Sequence, residues 1–276
     1  MKRSNKVMVG HLFLRLPQRL TALSRAPFIG PLLHSLSHAL LPPQARVWVR
    51  VRKGAAKGLW MSVNPRTGKG LYEGTHEPMV QEAISKHLGP GMVLYDLGAN
   101  VGLFTLIGAR CVGRGGKVCA FEPDPDLCQR LSENVSRNGF SNVEIVQAAV
   151  CSTTGSTNFV RADPNVSPDM GLGTIGAGLP GSSVIRVRSV VLDDYVQDAP
   201  PPDVVKCDVE GAEMEVLEGG RSLLTHFKPV IVCEAHSELG AERVRELLVH
   251  AGYTIRWIHD NHLLALPSLC HLGPLV

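Results

Sequence analysis

The first 72 residues contain no aspartate or glutamate. Thirteen lysines and arginines fall in that stretch, which leaves fifteen basic against twenty-five acidic residues in the rest of the chain. The formal net charge of +3 therefore hides a basic leader joined to an acidic body. Such a leader calls for an anionic partner: phospholipid, nucleic acid, or the acidic body itself. Apolar runs are short. Val7 to Leu14 falls far below the ~20 residues that cross a bilayer, and a hydrophobic fraction of 44% excludes a multispanning membrane protein. No C-x-x-C pair occurs among the seven cysteines, and several sit inside apolar runs, as in Val118-Cys119-Ala120. This supports neither a disulfide framework nor a cysteine zinc site, and predicts reduced thiols in a reducing, cytoplasmic compartment.

Three readings fit residues 1–41: a pair of amphipathic helices over 11–24 and 29–41 packed on the body, a peripheral membrane contact, or a cleaved targeting segment. Pro42-Pro43 ends this extension. Residues 42–69 read as a hairpin region. Arg46 to Arg52 alternates with period two, and Leu59 to Val63 is its return strand. Arg50 and Arg52 are either a solvated face or an anion-binding pair. Residues 70–276 form the main domain, which opens with Gly70 to Glu77 and a helix over 78–88 with Met79, Val80, Ala83, Ile84 and His87 on one face.

The most informative stretch is Met92 to Ile107. A turn at Gly89-Pro90-Gly91 precedes a short apolar strand, then Asp96-Leu97-Gly98-Ala99-Asn100-Val101-Gly102, then helical spacing at Leu103, Leu106 and Ile107. Strand, glycine loop and helix put a carboxylate and free backbone N–H groups at the ligand-binding edge of an open α/β sheet. A dinucleotide fingerprint is missing, because its second glycine is replaced by Asn100, whose Cβ would crowd a pyrophosphate. Asp96 would repel one too, and suits a ligand with a cationic end; as a plain alternative it caps the helix. The next strand, 116–121, ends at Glu122, about 20 residues on, where an acid grips both ribose hydroxyls. A helix capped by Asp124 and a third strand at 143–148 follow, so a doubly wound sheet is the expected architecture.

DLGANVG at 96–102, FEPDP at 121–125 and KCDVEGAE at 206–213 resemble the FkbM-type family of S-adenosylmethionine-dependent methyltransferases. The resemblance covers roughly residues 70 to 266. It implies a class I methyltransferase fold: α/β, a doubly wound, mostly parallel, seven-stranded Rossmann-like sheet with a terminal antiparallel hairpin. It implies S-adenosylmethionine as cofactor, bound by Asp96, Gly98, Asn100, Gly102 and Glu122. It also puts Glu77 beside the cofactor and residues 148–150, Ala149 among them, against the adenine. No N-P-P-Y, D-P-P-Y or Pro-Cys loop of the base methylators is present, and the body is acidic, so no nucleic-acid partner is expected. The acceptor is expected to be a small molecule or glycan: a sugar, a lipid-linked glycan or a polyketide-like metabolite.

A hydroxyl acceptor is a poor nucleophile until it loses its proton. Asp208, at the strand's end in the run 204–213 that passes from strand to loop to helix, is the candidate base. Lys206, on the same strand face, would lower its pKa or steady the developing alkoxide. His236, after the strand ending at Glu234, is a second candidate for the proton or a mere loop residue, and Glu213 is expected to cap its own helix. Asp208, Glu210 and Glu234 could instead hold magnesium, which prefers oxygen ligands. Residues 163–183 are rich in Gly, Pro and Ser and read as a substrate lid. Two rivals stand beside methyl transfer: a nicotinamide-dependent oxidoreductase, and a membrane-associated binding protein that keeps the fold without turnover. Sequence leaves the oligomeric state open.

Overall fold

A computed structural model describes residues 10–12, 45–161, 173–176 and 183–268. The helices expected within 1–41 and most of the expected lid lie outside the described residues. The chain divides into two compact units, one reaching to His76 and the other beginning at Glu77.

In the first unit, β1 (Val47–Arg50) pairs antiparallel with β2 (Trp60–Val63), Val47 opposite Val63. Alternation buries Val47 and Val49 and exposes Arg50. The two arginines rest on aromatic faces: the Arg50 guanidinium lies 4.8 Å from the Trp60 ring centre and that of Arg52 5.9 Å from Tyr72. A short helix, α1 (Lys69–Glu73), ends at Gly74 in the left-handed region.

The second unit is built on a seven-stranded sheet ordered β12-β13-β11-β10-β3-β4-β5. Its strands are β3 (Val93–Leu97), β4 (Lys117–Phe121), β5 (Val143–Val146), β10 (Val204–Cys207), β11 (Val230–Glu234), β12 (Tyr253–His259) and β13 (His262–Pro267). The first five run parallel, while β13 pairs antiparallel with both β11 and β12. This is the doubly wound, mostly parallel α/β sheet with a terminal hairpin that the sequence predicts. The central strands are buried on both faces: Leu94, Tyr95 and Leu97, and every residue of β10. Helices cover them: α2 (Pro78–His87), α3 (Leu103–Val112), α4 (Pro125–Arg137), α6 (Glu213–Glu218), α7 (Arg221–His226) and α8 (Glu238–His250). Helix α4 starts where its cap predicts, with the Asp124 carboxylate accepting the Asp126 N–H at 2.8 Å. In α2 the expected apolar face is off by one step: Gln81 is buried and Met79 is exposed. Helix α8 begins earlier than its apolar spacing suggests, because the Ser237 hydroxyl accepts the Gly240 N–H and caps it there.

A second, smaller sheet, β6-β9-β7-β8, holds β6 (Ala149–Val150), β7 (Gly155–Arg161), β8 (Thr174–Ile175) and β9 (Ser183–Val190). The short helix α5 (Leu192–Tyr195) then returns the chain toward β10.

The chain builds outward from β3 to β5 and then crosses to β10 on the other side of β3. The strand order therefore reverses between β3 and β10, and ligands of open α/β sheets bind in the crevice at such a point. Asp96 and Lys206 are register partners across it. The loops that follow the two strands touch. A Cβ on Gly98 would stand 1.8 Å from the Asp208 carbonyl oxygen, and Gly98 has φ +74°.

Gly91 also has positive φ, +86°, but nothing lies within 4 Å of its missing Cβ. Gly91→Ala should cost only the ~1–2 kcal/mol of a left-handed L-residue. Gly98→Ala adds a backbone collision and should cost clearly more. Urea unfolding of both variants checks this; equal losses would mean that the loops are not pressed together.

Candidate functional site

Lys206 sits at the centre of the switch point with only 3% of its side chain exposed. Its ammonium donates to the Gly98 carbonyl at 3.0 Å, the Leu97 carbonyl at 3.4 Å and Asp208 Oδ2 at 3.1 Å. All three protons are thus committed. Asp96 Oδ1 lies 3.8 Å away, and the Phe104 ring 5.3 Å. Burial works against the lysine's charge, but Asp208 and Asp96 outweigh it and hold the ammonium above the usual lysine range. Of the two roles expected of Lys206, lowering the pKa of Asp208 or steadying an alkoxide, its contacts favour the first: its protons fasten two loops and the Asp208 carboxylate.

Asp96 was expected to face a cationic ligand end. It is fully buried. Its Oδ2 accepts the Thr105 hydroxyl at 2.5 Å and its Oδ1 has no hydrogen-bond partner. Burial raises its pKa, and Lys206 opposes that rise. The loop N–H groups are also less free than predicted. Those of Gly98 and Ala99 donate to the Phe121 carbonyl, that of Asn100 to Glu122 Oε2 at 2.8 Å, and that of Gly102 to the Ala99 carbonyl. Asn100, at φ +51°, accepts its neighbour Val101's N–H through its own side chain. Gly102 is required by close packing: a Cβ there would stand 2.3 Å from Leu131 Cδ1.

Glu122 ends β4 as predicted and is buried. Its second oxygen accepts the Asp124 N–H at 2.9 Å. Two N–H bonds leave about half of the acceptor capacity of a carboxylate unused, which suits a pair of hydroxyls. Burial pushes its pKa up to about 7, even against the two N–H bonds. Ala149, expected against the adenine, is buried in a small cluster with Phe159 and Val187.

Asp208 is the more open acid of the switch point, with 21% of its side chain exposed. Burial raises its pKa, Lys206 counters, and the negative charges of Glu234 and Glu77 raise it further. His236 lies on its far side, Nε2 3.7 Å from Asp208 Oδ1. Both nitrogens of that ring face carboxylates: Nδ1 meets Glu213 Oε1 at 2.9 Å and Nε2 meets Glu210 Oε2 at 3.1 Å. Glu210 and Glu213 push the imidazole up to about 11. A ring that donates on both sides has no lone pair for a substrate proton, which favours the loop-residue reading of His236 over that of proton acceptor. Glu213, the first residue of α6, accepts the Gly211 N–H and its own N–H, and it also holds His236. Those bonds keep its pKa low despite burial.

Magnesium on Asp208, Glu210 and Glu234 fits poorly. Glu210 is committed to His236, and the group of donor atoms that comes together is Asp208, Glu234 and His236, which puts an imidazole where magnesium prefers oxygen. Glu77, expected beside the cofactor, lies with Glu234 and His262 at the ends of β11 and β13. Sequence reasoning missed His262; only its place just after the Asp260-Asn261 turn marks it.

Residues 96–255 match the family model of the methyltransferase FkbM domain, more than half of the chain. The chain belongs to the FkbM methyltransferase family. Its relatives include the hexuronic acid methyltransferase AglP of Haloferax volcanii, 36% identical over 58% of this chain and 62% of that protein. Another is the methyltransferase sdnD of Sordaria araneosa, 32% identical over 46% of this chain and 59% of that one. This chain thus spans about three fifths of the length of the curated relatives it matches. Among solved structures, an FkbM methyltransferase from Methylobacillus flagellatus aligns with a TM-score of 0.46 at 18% identity, covering 71% of this chain and 54% of that one.

The raised Glu122 carboxyl gives a pH prediction. A carboxyl that titrates near 7 in the fold and near 4.5 unfolded binds more protons when folded. Between those values stability of the ligand-free protein should fall as pH rises. Carbon-13 NMR of Glu122 should show a midpoint near 7, and added S-adenosylhomocysteine should lower it, because hydroxyl donors favour the ionised form. A midpoint near 4.5 would remove Glu122 from this role.

Proposed function

We propose that this chain is a S-adenosylmethionine-dependent O-methyltransferase of a small-molecule or glycan hydroxyl. The observation that carries the reading is Asp208: a partly open carboxylate, held by a buried ammonium, at the switch point of the sheet. Family membership supports the cofactor. So does the fit of the residues, since Glu122 keeps acceptor capacity for a pair of hydroxyls. A relative named for hexuronic acid supports a sugar-type acceptor.

The bound cofactor supplies an electrophilic methyl group on a sulfonium. The protein's share is alignment and a proton acceptor. With the cofactor bound, Asp208 would accept the proton of the acceptor hydroxyl, the methyl–sulfur bond breaking as the methyl–oxygen bond forms and S-adenosylhomocysteine leaving. Lys206 opposes the burial and the neighbouring acids that raise the Asp208 pKa, and so favours its ionised form. His236, pinned between Glu210 and Glu213, sets the charge and shape of the acceptor side. The residues of the Asp96 loop act by position: Asp96 and Thr105 hold the loop on α3, and Asn100 hands its N–H to Glu122.

Asp208→Asn keeps the shape and removes the base. With labelled S-adenosylmethionine and a panel of hexoses, hexuronic acids and glycosides, it should lose turnover by the ~10²–10⁴-fold typical of general-base loss. Its affinity for S-adenosylhomocysteine, read by calorimetry, should be unchanged. Near-normal turnover would take the base role away from Asp208. Absence of S-adenosylhomocysteine binding by the wild type would sink the whole reading.

A further inference from the structure

Glu234 ends β11, His262 begins β13, and the two are register partners. Glu77 reaches the same place from the start of α2. Its backbone is left-handed, φ +41°, directly before Pro78, and its side chain makes no capping bond to the helix it precedes. An acid held in that conformation is aimed by something other than its own helix. Its Oε2 lies 3.6 Å from His262 Nε2, and Glu234 Oε2 lies 3.3 Å from the same nitrogen.

His262 is only 7% exposed, and its buried Nε2 has no hydrogen-bond partner. Neither carboxylate lies in line with a ring N–H. The other nitrogen settles the tautomer. Asn261 Nδ2 donates to Glu234 Oε1 at 2.7 Å, and a carboxylate can only accept there. The amide is thereby oriented with Oδ1 toward His262 Nδ1, 2.9 Å away. Nδ1 must donate to it, so in the neutral ring the lone pair on Nε2 faces two anionic oxygens. Either a proton on Nε2 or a metal ion among the three groups relieves that repulsion, and because the two carboxylates hold the ring's pKa up against burial, the two compete for the place.

The spacing suits a metal ion. Ligands ~2.1 Å from a common centre stand about 3.0–3.5 Å apart, close to the two distances here. The second sphere is present as well: one amide orients two of the three side chains, as outer-sphere partners of metal ligands do. Glu77 and Glu234 keep 22% and 18% of their side chains open, so an ion can enter and retain positions for further oxygen ligands.

We propose that Glu77, Glu234 and His262 form a binding site for a divalent first-row ion, with Asn261 as its positioning residue. Two carboxylates and one imidazole select the manganese, iron and zinc class over magnesium. The site does not depend on the methyl-transfer reading and is tested without cofactor or acceptor.

The full chain is stripped with EDTA, exchanged into chelator-free buffer and titrated with MnCl2, with free Mn2+ read by electron paramagnetic resonance. Manganese is chosen because the chain's thiols compete little for it. One ion per chain is expected, with affinity reduced about 10–100-fold in Asn261→Ala and at least as much in Glu234→Gln, both checked for folding by thermal melts. In wild-type protein with nitrogen-15 histidine, Mn2+ should broaden the His262 ring signals. Equal Mn2+ binding by wild type and Asn261→Ala would overturn the proposal. So would a His262 ring that stays protonated on both nitrogens and unbroadened.

Discussion

One buried ammonium organises the switch point. Lys206 reaches across from β10 to the carbonyls that end β3, and binds Asp208 on its own loop. An ion this deep is costly to desolvate and is retained only where every proton has a partner. Here those partners are the cofactor loop and the proposed base. Removing the charge would free two carbonyls, leave buried Asp96 without its counter-ion and leave His236 as the cation beside Asp208. The position of the loop after β3 and the ionisation of Asp208 therefore rest on the same group.

Around that centre the charges are arranged in pairs. Glu213 and Glu210 clamp His236, Glu234 and Glu77 flank His262, and Asp208 stands between the histidine clamp and Lys206. Carboxylates in excess of cations make this end of the sheet strongly acidic. A negatively charged acceptor would be repelled unless a cation met it, so the metal site and the choice of acceptor are electrostatically linked.

Much of the fold is legible in the chain because it rests on local signals. Gly89-Pro90-Gly91, the apolar run after it and the glycines of the Asp96 loop identify strand, loop and helix without help from elsewhere. Asp124 before Pro125 marks a cap, and Tyr253 to Leu266 reads as a hairpin. What was not legible is pairing over distance. Lys206 lies 110 residues from its register partner Asp96, and no spacing reveals that its protons go to carbonyls. Asp96 carries the family motif yet is closed to solvent, which only packing determines. His236 looked like a base because it follows a strand ending in an acid; the two glutamates that occupy its nitrogens come from the loop and helix after β10. Glu77 and His262 stand at opposite ends of the domain and meet only because β13 returns beside β11.

The contact between Gly98 and the Asp208 carbonyl has a consequence for how variants combine. Two loops that touch backbone to backbone have no slack to absorb a change in one without shifting the other. Effects of substitutions in 96–102 and 206–213 will therefore not add, whereas those at either loop and on the exposed strand faces of β7 and β9 will. An evolving lineage can thus vary the small sheet step by step, but must change the two loops together or leave them alone.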